Sequence, residues 1–375
     1  MKKIFTLFSL FSLFAIASSQ VTPGFYRVKN AETNRYLYVW DNEGYARMNG
    51  LNVEVDLDAV YLRKGLENTI SDPASVIYVS THGGKYDFSA QGTSVHDILG
   101  YYVDLTERSG HYSVGAEVQG TSVYLSDLDP VKSAEYGKIS KDANGHRLWD
   151  AELISSSSAN FFGVKPSITA SNKSYASFYA SFGFSPVSRD TKVYYVSKFG
   201  DRAVLLKEIE GDIPSATPVI IECTSDDPAD NKLDLVSGGT SISDNQLKGY
   251  YFDTDNISIL GYFTKDHVNQ KTVESEMRFL NVNSEGKLVF SKNSNLSTVP
   301  ANSSYLVVSS TAASELVVCF TEEEFENNGG STSLDTLISG ANAKPIYNLL
   351  GKPVESGKPL PAGIYIIGGK KTVIR

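Results

Sequence analysis

The chain has 375 residues, 41% of them apolar and 21% charged, which is enough apolar content to bury more than one core. Overall disorder is thereby excluded, and two domains are expected at about 100–200 residues each. The aromatic set of 22 Tyr and 18 Phe against 2 Trp suits half-buried pleated surfaces and predicts an all-β fold, while the net charge of −9 leaves no basic face and excludes nucleic acid as a partner.

Residues 1–19 carry the three parts of a secretory signal peptide. Lys2 and Lys3 form the positive start, residues 4–17 the apolar stretch, and Ala15-Ile16-Ala17 or Ala17-Ser18-Ser19 the small-residue cleavage site. A membrane-spanning helix needs ~20 apolar residues, and no later segment reaches even ~18. No Cys follows the apolar run to accept a lipid. The expectation is a secreted chain with no transmembrane segment in its mature form.

Residues 20–156 form the first expected domain. Three hairpin-like units recur: Phe25-Tyr26-Arg27-Val28 with Tyr36-Leu37-Tyr38-Val39, Val76-Ile77-Tyr78-Val79 with Tyr86-Asp87-Phe88, and His111-Tyr112-Ser113-Val114 with Val123-Tyr124-Leu125. Such repetition predicts three-fold internal symmetry. Residues 58–70 read as a more helical insertion in the first unit. The domain ends on Arg147-Leu148-Trp149-Asp150-Ala151-Glu152-Leu153-Ile154.

On these residues, 22–156 resemble a ricin-type β-trefoil of the divergent sort at the start of exported Bacteroidetes proteins. Arg147-Leu148-Trp149 stands where that family has a Gln-any-Trp signature, with Arg in place of Gln. The resemblance implies a lectin-like, carbohydrate-binding head with Trp149 in its core. Sugar sites stack an aromatic ring on the sugar's apolar face while a carboxylate or amide fixes its hydroxyls, and Trp40-Asp41-Asn42 offers both. The family's sugar-fixing Asp follows the second strand of a repeat, and Asp41 stands one position later than that. In the competing reading Trp40 packs on the domain and Asp41-Asn42 make an ordinary turn.

Residues 157–325 are expected to form an antiparallel β-sandwich. Short apolar or alternating segments recur every 8 to 15 residues, among them 178–182, 192–196, 203–206, 247–252, 277–282 and 305–308, separated by turns such as Ser237-Gly238-Gly239 and Glu285-Gly286. The order of Tyr194-Tyr195-Val196, Ile213-Pro214-Ser215-Ala216-Thr217-Pro218-Val219-Ile220, Leu247-Lys248-Gly249 and Val299-Pro300-Ala301-Asn302-Ser303-Ser304-Tyr305-Leu306 resembles a β-sandwich module of exported Bacteroidales proteins. That module's residues imply no biochemical role. Cys223 and Cys319 lie in apolar runs and read as buried strand positions, either free or paired in an oxidising compartment.

The acidic, then Gly- and Ser-rich stretch 322–333 reads as a linker, with the linker segment placed at 326–339 in the domain division. Residues 340–375 follow as a tail of three short strands: Pro345 to Val354, Leu360 to Ile367, and Lys371 to Arg375. A Gly-hydrophobic-Tyr strand before a basic terminal strand is similar to the C-terminal sorting domain of the Bacteroidetes type IX secretion system. That resemblance implies a partner in the secretion machinery and attachment to the outer membrane surface. The alternative is a small β-meander capping the sandwich.

No motif for catalysis emerges. None of His82, His96, His111, His146 and His267 has a metal-binding spacing, and a metal, a phosphate loop and a dinucleotide cofactor have no recognisable site. His82-Gly83-Gly84 reads as a hairpin turn. The paired acids Asp56/Asp58, Asp127/Asp129 and Asp253/Asp255, and the group Asp226, Asp227, Asp230, read as solvated turns. The leading expectation is a non-enzymatic binding protein for a glycan or a surface protein. A secreted hydrolase with an unrecognised site and a structural, fimbria-like surface component are the alternatives.

Overall fold

A computed structural model describes residues 20–39, 60–64, 69–94, 101–118, 120–127, 137–140, 145–251, 276–292, 299–309, 312–330, 346–348, 363–367 and 370–374. The fold is all-β with curled sheets. Among the described residues, helix is confined to a 3₁₀ turn at Pro73–Ser75 and to α1 (Glu322–Asn327).

The first unit contains β1 (Gly24–Asn30), β2 (Arg35–Val39), β3 (Val60–Lys64), β4 (Ile77–His82), β5 (Lys85–Ala90), β6 (Thr93–Ser94), β7 (Asp104–Arg108), β8 (His111–Val118), β9 (Thr121–Asp127), β10 (Gly137–Ser140) and β11 (Leu148–Leu153). Antiparallel pairing runs β1–β4, β4–β5, β7–β8, β8–β11 and β11–β1. The bridge between Tyr86 of β5 and Val103, just before β7, closes these six strands into a ring. Three strands leave the ring as hairpin partners: β2 from β1, β6 from β5, and β9 from β8. Inward-facing Val28, Val79, Phe88, Val114, Leu125 and Trp149 fill the centre.

Two of the expected hairpins, β1–β2 and β8–β9, occupy matching places in this ring. The second one, β4–β5, is out of phase with them, and β5–β6 is the matching pair. The described part of the expected helical insertion 58–70 is not helical. Residues 60–64 are β3, paired antiparallel to β2 with Leu62 opposite Leu37, because a strand partner outweighs the weak local helix preference of Asp-Ala-Val. The turn at His82-Gly83-Gly84 is as expected: Gly83 and Gly84 have φ of 59° and 83°, the left-handed pair that a two-residue hairpin requires.

Asp127 corrects the solvated-turn expectation. Its side chain is fully buried, accepting hydrogen bonds from Thr33 Oγ1 at 2.7 Å and Arg35 Nε at 2.8 Å, with a second contact to Arg35 Nη2. A buried carboxylate must be paired in this way. Asp226, Asp227 and Asp230 behave as expected, on a turn whose backbone and hydroxyl groups they hold through Ser174 and Ser225. Asp56, Asp58, Asp129, Asp253 and Asp255 lie outside the described residues.

The second unit contains β12 (Phe162–Gly163), β13 (Ile168–Ala170), β14 (Lys173–Phe178), β15 (Gly183–Pro186), β16 (Lys192–Phe199), β17 (Ala203–Glu208), β18 (Val219–Cys223), β19 (Lys232–Val236), β20 (Leu247–Tyr250), β21 (Met277–Val282), β22 (Leu288–Ser291), β23 (Ser303–Val307) and β24 (Glu315–Cys319). Ten of these form one sheet in the order β13-β14-β18-β16-β17-β24-β22-β21-β23-β20, and β12-β19-β15 form a smaller one. The large sheet curls until β14 meets β23, where Ser304 N donates to Ser177 Oγ at 2.8 Å. Its concave side encloses Val196, Val204, Ile220, Phe290, Leu306 and Leu316. Its other side packs on the small sheet through Phe178, Phe182, Phe184, Val219, Ile221 and Leu233.

Strand β18 shows why the run Val219-Ile220-Ile221-Glu222-Cys223 is so apolar. Every residue in it is buried, because both faces of the strand are covered. Cys223 and Cys319 are both buried and stand as two separate thiols in different clusters. Burial is the first cause that pushes Cys223 up to about 12 and Cys319 to about 11, with nearby carboxylates acting in the same direction.

The acidic stretch after β24 is helical where it begins. Thr321 caps α1 through Glu324 N, and the Glu324 side chain returns to the Thr321 backbone. Phe325 anchors the helix among Ala203, Leu205 and Cys319. In the tail, β25 (Ile346–Asn348), β26 (Gly363–Ile367) and β27 (Lys370–Ile374) pair antiparallel in chain order.

Candidate functional site

Trp40, Asp41 and Asn42 lie outside the described residues, directly beyond β2. Elsewhere in the first unit, Trp149 is buried and donates Nε1–H to Leu125 O at 3.0 Å, and the Arg147 guanidinium lies 4.6 Å from the centre of the Tyr124 ring. His111 Nδ1 stands 2.6 Å from Asp150, His146 Nδ1 3.3 Å from Glu32, and the His82 ring stacks on Tyr102. His96 and His267 are outside the described residues. Among the described residues no three His, Cys, Asp or Glu side chains gather as metal ligands.

The two units share a core. Val76 and Ile154 of the first unit belong to the cluster of Phe162, Phe178 and Phe182, and Phe25 packs on it. Two polar clamps flank this seam. In one, the fully buried Arg27 guanidinium donates to five acceptors: Ser75 Oγ, Asn160 Oδ1, Phe161 O, Thr69 O and Ile70 O, at 2.6 to 3.4 Å. Burial pulls its pKa down to about 10, against the charges of Tyr36, Glu152 and Asp72, so it stays charged at neutral pH.

In the other clamp, Gln91 and Asn302 exchange amide hydrogen bonds. Gln91 Nε2 donates to Asn302 Oδ1 at 2.8 Å and Asn302 Nδ2 returns to Gln91 Oε1 at 2.9 Å. The spare amide hydrogens reach Tyr251 O and Tyr179 O. Both residues have φ of 52°, a left-handed conformation that Asn tolerates better than most.

Between the clamps lies a cavity of about 400 Å³, at the lower end of the range for ligand sites. Phe25, Tyr78, Phe182 and Tyr251 supply aromatic walls, and Ser89, Ser181, Ser215 and Ser237 supply hydroxyls. The Tyr251 ring rests over Gly92, where a Cβ would stand 2.8 Å from Cε2, so only glycine leaves room for that wall. Among the described residues no charged side chain lines the cavity.

A second, wider depression of about 680 Å³ lies on the large sheet around Tyr194, Phe320 and Glu222. Three ion pairs line it, Lys173–Glu222 at 2.7 Å, Lys192–Glu208 at 3.2 Å and Lys198–Glu322 at 2.5 Å, beside Leu205, Leu206, Tyr194 and Phe320. Tyr175 and Tyr194 donate to Glu222 Oε2 at 3.4 and 3.5 Å, and burial followed by the Glu222 charge pushes both phenols above their ordinary range. The Phe320 ring meets Tyr194 edge-on at 5.4 Å.

Sequence reading missed both cavities. Phe25, Ser89, Ser215 and Ser237 share no motif or spacing, and serines in turns carry no local signal for a site. No protein-family model matches the chain, and no curated protein matches it either.

Proposed function

We propose that this chain is a secreted, surface-attached, non-catalytic binding protein for a glycan, with a β-trefoil head fused to a β-sandwich. The observation that carries the reading is the strand pairing of the first unit: a six-strand ring with hairpin partners leaving β1, β5 and β8. Such a ring with three hairpin partners supports a three-fold trefoil reading, in agreement with the resemblance drawn from Arg147-Leu148-Trp149. The signal-like residues 1–19 and the three-stranded tail support export and sorting through the type IX machinery.

The test is a glycan array probed with mature chain 20–375 and with Trp40→Ala. A sugar signal that the variant loses, by ~1–3 kcal/mol for a missing stacking contact, supports a site at Trp40, Asp41 and Asn42. Unchanged binding by a folded Trp40→Ala removes that assignment. For the tail, deletion of residues 340–375 is expected to strand the protein in the periplasm, and normal surface display after deletion would return the segment to a structural cap.

A further inference from the structure

We infer that the seam between the two units holds a second ligand site, one that takes a single neutral sugar residue. The inference rests on the glycan reading above for the class of ligand and goes beyond it in place and residues. Three observations carry it.

The cavity is preformed. Arg27 bonds five acceptors on one flank and the Gln91–Asn302 amide pair closes the other, so the walls are fixed by hydrogen bonds already made in the protein. A cavity of fixed width spares a ligand the ordering cost that a collapsing cleft would impose.

Among the described residues the lining is uncharged. An ionic ligand would meet no counter-charge among these residues to replace its lost hydration, which favours a neutral guest. The depression at Glu222 differs in this respect, since ion pairs line it.

The lining also divides into flat apolar faces and unused hydroxyls. Phe25 and Tyr78 rings lie 4.9 Å apart, with Phe182 beyond Phe25 at 6.2 Å. Among the described residues, Ser215 Oγ, Ser237 Oγ and the Tyr78 hydroxyl make no hydrogen bond within the protein, and Ser181 Oγ only accepts one, from Gln91 N at 2.9 Å. A pyranose presents the matching surface: C–H groups for the rings and a rim of hydroxyls that both donate and accept. A wholly apolar guest would leave the serine hydroxyls facing it without partners.

The test is calorimetric titration of mature chain 20–375 with the methyl glycosides of glucose, galactose, mannose and N-acetylglucosamine, with sodium glucuronate and benzyl alcohol as controls. The expected result is saturable binding of at least one neutral glycoside and none of glucuronate. Ser215→Trp and Ser237→Trp fill the exposed mouth of the cavity, and each should weaken binding at least about tenfold while the unfolding transition stays in place. Tyr78→Phe, which keeps the ring and removes one unused hydroxyl, should weaken it several-fold.

Trp40→Ala separates the two sites. Glycoside binding lost in Trp40→Ala and kept in both seam variants overturns the seam site and leaves the head reading standing. Binding lost in the seam variants and kept in Trp40→Ala supports the seam site alone. Binding of benzyl alcohol without any glycoside, or no saturable binding at all, overturns the inference, while the head reading is judged separately by the glycan array.

Discussion

The seam and the depression around Glu222 are built on opposite faces of one strand. Along β18, Val219, Ile221 and Cys223 point into the core that continues to the seam, while Ile220 and Glu222 point the other way. On the seam side, polar groups are buried, neutral in their partners and fixed. On the Glu222 side, they are charged and paired, and every member of the three ion pairs except the buried Glu222 is exposed to water. The difference follows from dielectric: a charge near water is cheap to keep but gains little from its partner, whereas a buried polar group must be satisfied and then holds its neighbours rigidly. A preformed binding cavity therefore belongs at the seam.

Arg27→Met is the strongest way to break that contrast. It leaves buried carbonyls of Thr69, Ile70 and Phe161 short of a donor and is expected to cost at least about 3 kcal/mol in denaturant unfolding, with Arg27→Lys recovering only part. A loss below about 1 kcal/mol would mean that the clamp is dispensable. Asn302→Ala removes one half of the amide exchange and is expected to cost about 1–3 kcal/mol by the same measurement. Asn302→Gly, which keeps the left-handed backbone free of strain, isolates the amide's share.

Cys223 sharpens the contrast by pH. Its thiol and that of Cys319 are held protonated to about 12 and 11, whereas both ionise from 9.0 once unfolded. The folded state then keeps protons that the unfolded state releases, so this contribution is complete below pH 9 and falls away as pH rises toward 11 and 12. Native protein at pH 8 should leave both thiols unmodified by Ellman's reagent, and denatured protein should expose two. No reactive thiol after denaturation would reveal a disulfide instead. The smallest effect is expected for Lys192→Ala, whose partner Glu208 is also exposed: under about 1 kcal/mol, and less in high salt. A larger loss would show that the ionic face carries stability after all.

Much of the strand pattern was legible in the sequence. Alternating and continuous apolar runs placed β16, β17, β18, β21 and the three tail strands, because a strand's two-residue period and its turn residues are local properties, whereas the run 178–182 begins at the last residue of β14 and falls past its end. His82-Gly83-Gly84 declared its turn for the same reason. Trp149 was legible as core through its place in a motif.

Tertiary structure decided the rest. Arg27 meets Asn160 across 133 positions and Gln91 meets Asn302 across 211, separations over which no periodicity reports. Asp127 looks like any turn aspartate until Arg35 is brought against it, and residues 60–64 look helical until β2 offers them a partner. The seam cavity exists only because two units share one core, and its serines acquire meaning from what they face. By itself, the sequence determined an all-β chain and where its strands run; only the packing of distant segments decided which polar groups are buried, and with that where a ligand is best held.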